Sequence, residues 1–153
     1  MAKRIPSPHS LATGVGALPH TDPVTACDDV LEIFPRFLYV PTLPDRGLLE
    51  SIVFCDSEQL PGRLIRENRL LFDNATDHTA AIEKVYMDYI EDNYASYGLH
   101  HEYASGFIEM MSRHVPDTLV LKCQVTGPVT FGMQVVDADK RPIYYDSQLA
   151  DVL

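Results

Sequence analysis

Two short apolar runs, Leu11 to Leu18 and Phe37 to Val40, flank a segment of a different period. Gly14 and Gly16 interrupt the first run and Pro19 closes it; Pro41 ends the second. The segment between opens with Thr21-Asp22-Pro23, a capping side chain followed by proline at the first helical position. Val24, Cys27, Val30, Leu31 and Phe34 then recur at helical spacing until Pro35 stops them. Strand, helix and strand within so short a stretch leave few arrangements. Strands apolar on both faces and joined by a helix pack side by side in a parallel sheet with the helix outside. The expected fold class is therefore α/β.

A third apolar strand is expected over Leu119 to Val125, with Lys122 and Gln124 as the polar exceptions. Before it, Leu48, Leu49, Ile52 and Val53 suggest one or two helical turns, and Pro61-Gly62 a turn. Leu64-Ile65-Arg66 and Leu70-Leu71-Phe72, on either side of Glu67-Asn68-Arg69, read as a small hairpin. The strongest helical pattern runs from Asp77 to Tyr97, with Ile82, Val85, Tyr86, Tyr89 and Ile90 on one face and Gly98 at its end. A further helix, Ala104 to Val115, presents Phe107, Met110, Met111 and Val115 and is broken by Pro116 and Asp117. After the third strand come a Thr126-Gly127-Pro128 turn, a short helix over Val129 to Val136 and a polar loop over Asp137 to Arg141. Asp146-Ser147 looks like a cap, and Gln148 to Leu153 like a first helical turn. Short helices need packing over several turns, so a longer protein is expected to continue beyond residue 153. Residues 1–9 read as a tail.

Charge and cysteine usage narrow the function classes. Acids number 22 and bases 12, for a net charge of −10, which repels phosphate backbones. The richest basic stretch, Arg63 to Arg69, holds three arginines interrupted by Glu67 and reads as a solvated turn. No nucleic-acid partner is expected. No apolar run reaches the length of about 18 residues that a membrane helix needs, so no membrane partner is expected either. Met1-Ala2-Lys3-Arg4 is basic, but Pro6 and Pro8 follow where a signal peptide would need an apolar core. The three cysteines are scattered, which fits reduced thiols in a cytoplasmic protein. Cys27 and Cys123 fall at expected core positions, and Cys55 stays unassigned. His100-His101-Glu102 reads as an exposed polar link, because adjacent side chains diverge. Tyr86, Tyr89, Tyr94, Tyr97 and Tyr103 read as a helix-packing stripe.

Two segments carry more than pattern. One is Thr13-Gly14-Val15-Gly16-Ala17-Leu18-Pro19-His20-Thr21-Asp22-Pro23, and the other is Gln124-Val125-Thr126-Gly127-Pro128-Val129-Thr130-Phe131-Gly132. Together they resemble the superfamily of cobalamin-independent methionine synthase and uroporphyrinogen decarboxylase, above all the short single-barrel relatives of the synthase. The first is similar to the Ile-Gly-Ser-Phe-Pro-Gln-Thr segment that opens the synthase's catalytic barrel. The second is similar to its Leu-Thr-Gly-Pro-Val-Thr segment, and Pro44-Asp45-Arg46 sits where it has Pro-Glu-Arg. The resemblance implies a (β/α)8 TIM barrel. Residues 1–153 would be its N-terminal portion, about three strands with a small hairpin insertion, an incomplete domain lacking the C-terminal strands.

In such barrels the chemistry sits at the C-terminal ends of the strands, where both segments fall. Gly14 and Gly16 lack Cβ atoms and let a backbone approach a ligand closely. The helix starting at Pro23 turns its free N–H groups to the same end and favours an anion there. The resemblance implies that Val15, Gly16 and Ala17 hold substrate through their backbone. His20, Arg46, Thr126 and Gly127 complete the expected substrate-binding set, with Arg46 as a bidentate clamp for a carboxylate. Ala17 stands where the synthase has serine, and Leu43 where it has a substrate-holding glutamate. The implied activity of the complete protein is methyl transfer to a thiol such as homocysteine, with zinc bound by residues outside this chain and a methylfolate or methylcorrinoid as donor. The alternatives are a decarboxylase of uroporphyrinogen type and a non-catalytic fragment or binding module. No catalytic residue and no metal ligand is expected within the chain. A small-molecule substrate is expected, and so is self-association or pairing with the rest of the barrel. Open strand edges, and Val15, Leu38, Val40, Leu119, Leu121 and Val125 without partners, would drive that association.

Overall fold

The helix α1 (Pro23–Ile33) starts where its cap places it. Asp22 is extended and accepts the N–H of Val24 at 3.4 Å and of Thr25 at 3.0 Å, with Pro23 at the first helical position. Phe34 closes the helix, and β1 (Phe37–Tyr39) follows. The computed structural model describes residues 10–115 and 120–150. Expectations that fall on the tail, on Pro116 and Asp117, on Leu119, or on residues 151–153 lie outside the described residues. The chain divides into two compact units, one running to Ser51 and including His100–Gln124, the other holding Ile52–Leu99 and the chain from Val125.

The first unit is built on parallel pairing. β1 pairs in parallel with β4 (Val120–Lys122), Leu38 opposite Leu121. Ala17 forms a parallel bridge to Thr42, with Leu18 N–H on Thr42 O at 3.0 Å and Thr42 N–H on Gly16 O at 2.8 Å. The expected strand over Leu11 to Leu18 is thus reduced to one bridge, because two glycines and Pro19 leave too little pleated backbone to continue a ladder. Lys122 instead binds the Gly14 carbonyl with its ammonium group. Of the expected Leu119–Val125 strand, the described part ends at Lys122 rather than Val125.

Between these strands the chain lays down α4 (Ser105–Ser112), shorter than the expected Ala104–Val115. α1, β1 and α4 share one core of Cys27, Val30, Leu38, Tyr39, Val40 and Met110, flanked by Leu18, Phe34, Phe107 and Leu121. Leu38 and Val40, expected to lack partners, are therefore covered within this unit. Val15 and Val125 are 70% and 79% exposed. Burial pushes the Cys27 thiol up to about 11, so it stays protonated and inert at neutral pH. Cys123, expected in the core, is exposed because β4 ends one residue before it. Arg113 fastens α4 to α1: it pairs with Asp28, binds Glu109 at 2.8 Å and donates to the Val24 carbonyl at 3.1 Å.

In the second unit β2 (Arg63–Arg66) and β3 (Arg69–Phe72) form the expected hairpin. Glu67 and Asn68 have φ of 50° and 59°, the positive pair that a two-residue turn needs to match strand twist. Phe54 on α2 (Ile52–Cys55), Leu70, Phe131 on α5 (Pro128–Gln134), Val135, Ile143 and Leu149 on α6 (Ser147–Ala150) are buried. The expected Asp77–Tyr97 helix is shorter: α3 spans Thr79–Ile90, and Ala95–Tyr97 is a separate 3-10 turn. Its buried stripe is Ile82 and Asp88 with half-buried Val85, while Tyr86, Tyr89 and Ile90 are exposed. The inward turn follows from Asp88, whose carboxylate binds Lys84, the Tyr97 hydroxyl at 2.8 Å and the Asn93 amide at 3.0 Å. The tyrosines therefore do not form a packing stripe. Among the described residues no helix is long and apolar enough to cross a membrane.

Gly106 on α4 sits so close to β1's exit that a Cβ there would overlap the Pro41 carbonyl oxygen. Backbone cannot yield as a side chain can, so Gly106→Ala is expected to destabilise the fold by about 1–3 kcal/mol. Urea unfolding of the two proteins measures the difference.

Candidate functional site

The glycine loop and the end of β1 bring five of the seven expected site residues into the first unit. Val15 points to solvent, Gly16 is buried, and Ala17 is exposed beside its bridge to Thr42. A Cβ on Gly16 would overlap the side-chain oxygen of Gln124 and lie 3.1 Å from Thr42 Oγ1. Gly14 faces the Tyr39 ring in the same way. The space that these glycines open is occupied by side chains of the chain itself. The group that lies against Gly16 is thus a primary amide, with donors and an acceptor.

His20 closes the loop and is tied back to α1, its Nε2 lying 2.9 Å from Asp29 Oδ2. Its Nδ1 and the hydroxyl of Thr13 are buried without a hydrogen-bond partner among the described residues. An unmatched buried polar atom costs about 1–3 kcal/mol, so this loop holds unused bonding capacity on both sides of Gly16.

The anion site expected at the start of α1 is already filled. Asp22's own carboxylate takes the Val24 and Thr25 N–H groups and also the Thr25 hydroxyl at 2.6 Å. Thr25's hydroxyl and N–H, with a smaller contribution from the Arg46 charge, hold Asp22 below the usual carboxylate value of 3.8.

Arg46 is engaged as well. It leaves a 3-10 turn, Pro44–Arg46, and its Nη1 binds Glu50 Oε1 at 2.7 Å. Glu50 is 4% exposed and also accepts the Ser105 N–H at 3.2 Å and the Ser105 hydroxyl. The arginine is thus held by a buried carboxylate, which consumes part of the fork that a bidentate clamp would use. Leu43 is wholly buried.

Thr126 and Gly127 belong to the second unit. Thr126 donates its N–H to Asp56 Oδ2 at 2.8 Å and its hydroxyl to the Ile52 carbonyl at 3.0 Å. Gly127 caps α5, its carbonyl accepting from Phe131 N–H at 2.9 Å. Among the described residues no group of three or more His, Cys, Asp or Glu is arranged to hold a metal ion.

Comparison of the chain with protein-family models, with curated proteins and with solved structures finds no match. Glu50, Ser105, Gln124 and Asp56 are site residues that the sequence alone did not single out. Arg46 and Glu50 stand four apart, a spacing that pairs charges on a helical turn, so Glu50 had a local signal. Ser105 is 55 residues from Glu50 and had none; Gln124 stood out as a polar residue in an apolar run, but its meeting with Gly16 comes only through the fold.

Two outcomes are expected. Gly16→Ala lowers the unfolding midpoint, and the loss shrinks when Gln124→Ala removes the overlapping amide, which a double-mutant cycle reads directly. For Asp22, the folded pKa lies below the unfolded value, so ionisation favours the fold above pH 3.8 and that contribution disappears as pH falls further. Asp22→Asn keeps a cap oxygen and loses the charge. Its stability deficit against the wild type should be constant near neutrality and fade on acidification.

Proposed function

We propose that this chain supplies the glycine-loop side of a small-molecule site in a methionine-synthase-like methyltransferase. The observation that carries the reading is the Ala17–Thr42 parallel bridge, where the Thr13–Pro23 segment runs beside the end of β1 with its glycines, Gln124 and capped helix together. The parallel pairing of β1 with β4 supports assignment of these strands to the opening of a (β/α)8 barrel.

The reaction is transfer of a methyl group from a methylfolate or methylcorrinoid to a thiol such as homocysteine. The carbon–sulfur bond forms as the bond from methyl to donor breaks and the thiol gives up its proton; a folate nitrogen would take up a proton as it leaves, and a corrinoid would keep the electron pair of the broken bond. Zinc supplies the thiolate in such chemistry. The described residues do not fit zinc, so segments other than these would hold it. This chain's own part is to bind and orient. The Gln124 amide and the backbone of residues 15–17 contact the acceptor, while Glu50 and Ser105 fix Arg46 at the edge of the site.

The alternative of a uroporphyrinogen-type decarboxylase depends on arginines for the substrate's carboxylates, and Arg46 is paired with Glu50. Mass spectrometry of the full-length protein, given zinc, a methyl donor and a panel of thiols, tests the reading. A methyl thioether is expected, with kcat/KM reduced about tenfold or more by Gln124→Ala. Absence of thioether with every donor and thiol, or carbon dioxide release from a porphyrinogen instead, would overturn it.

A further inference from the structure

The second unit contains a cavity of about 350 Å³, within the range of small-ligand sites. Its apolar wall comes from Leu60, Val85, Leu99 and Phe131, and Asp56, Glu58 and Tyr97 bring polar groups to it. The chain holds Asp56 and Tyr97 firmly. Tyr97 is fixed by its hydroxyl on Asp88 at 2.8 Å. Asp56 is fixed through Oδ2, which accepts the Thr126 N–H at 2.8 Å. Its other oxygen, Oδ1, receives a Cys55 S–H at 3.6 Å, a weak donor. Among the described residues no lysine, arginine or histidine pairs with Asp56.

A carboxylate with one oxygen met only by a weak thiol donor, fixed in orientation at the edge of a largely apolar cavity, has a definite complement. It suits a ligand with one protonated amine and a compact apolar or aromatic body. We infer that the second unit binds a small organic ammonium compound, its cation on Asp56 Oδ1 and its apolar part among Leu60, Val85, Leu99 and Phe131. An anion would be repelled by Asp56 and by the chain's charge of −10, which also draws cations toward the surface. A neutral analogue would gain the apolar contact alone. This site stands on the cavity and Asp56, and does not require the methyl-transfer reading.

The test titrates the full chain with phenethylammonium, 2-phenylethanol and 3-phenylpropionate, followed by protein NMR or calorimetry. Two variants accompany it. Asp56→Asn retains an oxygen for Thr126 N–H but loses the charge, and Val85→Trp fills the cavity. Thermal unfolding of each variant establishes that it is folded. Saturable binding of phenethylammonium is expected, weakened about tenfold or more by Asp56→Asn, as befits loss of a charged hydrogen bond. 2-Phenylethanol should bind more weakly and be indifferent to Asp56→Asn. 3-Phenylpropionate should not bind, and a folded Val85→Trp should bind none of the three. The inference is overturned if phenethylammonium shows no saturation up to about 10 mM, if Asp56→Asn binds it as tightly as the wild type, or if 3-phenylpropionate binds equally well. Should Val85→Trp not fold, the comparison of Asp56→Asn across the three ligands decides by itself.

Discussion

The backbone from Phe37 to Thr42 is bound twice in parallel, residues 37–39 to β4 and Thr42 to residues 16–18. Parallel neighbours cannot be joined by a tight turn, so a helical crossover must come between them, and α1 is that crossover between residues 16–18 and Thr42. Both faces of β1 are used. Leu38 and Val40 are buried, and Tyr39 packs its ring on Gly14. A slip of one residue would exchange those faces and turn Leu38 and Val40 away from the core that they share with Cys27, Val30 and Met110. The core cluster, the approach of α4 to Pro41 and the aim of the glycine loop all depend on this register.

Polar groups near the glycine loop are mostly satisfied by one another. Asp22 neutralises the start of α1, Glu50 holds Arg46, and Gln124 lies against Gly16. Burying Glu50 has an electrostatic cost that one arginine and the two Ser105 donors must offset, and a buried charge stripped of its partner is strongly destabilising. Such a cluster is rigid, which suits the positioning of a ligand beside it. The unpartnered Nδ1 of His20 and hydroxyl of Thr13 lie in the same loop, so its remaining capacity is concentrated rather than spread over the surface.

The second unit distributes its groups differently. Asp88 is enclosed by Lys84, Asn93 and the Tyr97 hydroxyl, which hold its carboxyl below the usual range. Among the described residues no cation pairs with Asp56. The contrast between a fully matched carboxylate and a half-matched one, within one small unit, is what sets Asp56 apart. Thr126, prominent in the sequence, spends its N–H and hydroxyl on anchoring a turn to Asp56 and Ile52.

Local chemistry was legible in the residues themselves. Thr21-Asp22-Pro23 set the start of α1 through a cap that spans three residues. Glu67-Asn68 marked the hairpin, since their positive φ values are set by the turn itself. Cys27 and Val30 followed from helical period. Contacts between distant segments had no such signal. α3 shows why: its apolar period pointed to one face of Ile82, Val85, Tyr86, Tyr89 and Ile90, yet Tyr86, Tyr89 and Ile90 are exposed and Asp88 turns inward, binding Asn93 and Tyr97 beyond the helix's end. In the same way the glycines of the first loop announced close approach, but only the packed chain decided that Tyr39 and Gln124 do the approaching. The sequence by itself determined caps, turns and net charge, because each depends on neighbours along the chain or on composition. Tertiary structure decided that Ser105 donates to the Glu50 that holds Arg46 and that one oxygen of Asp56 meets only a weak thiol donor, because those states depend on which groups the fold brings within hydrogen-bonding distance.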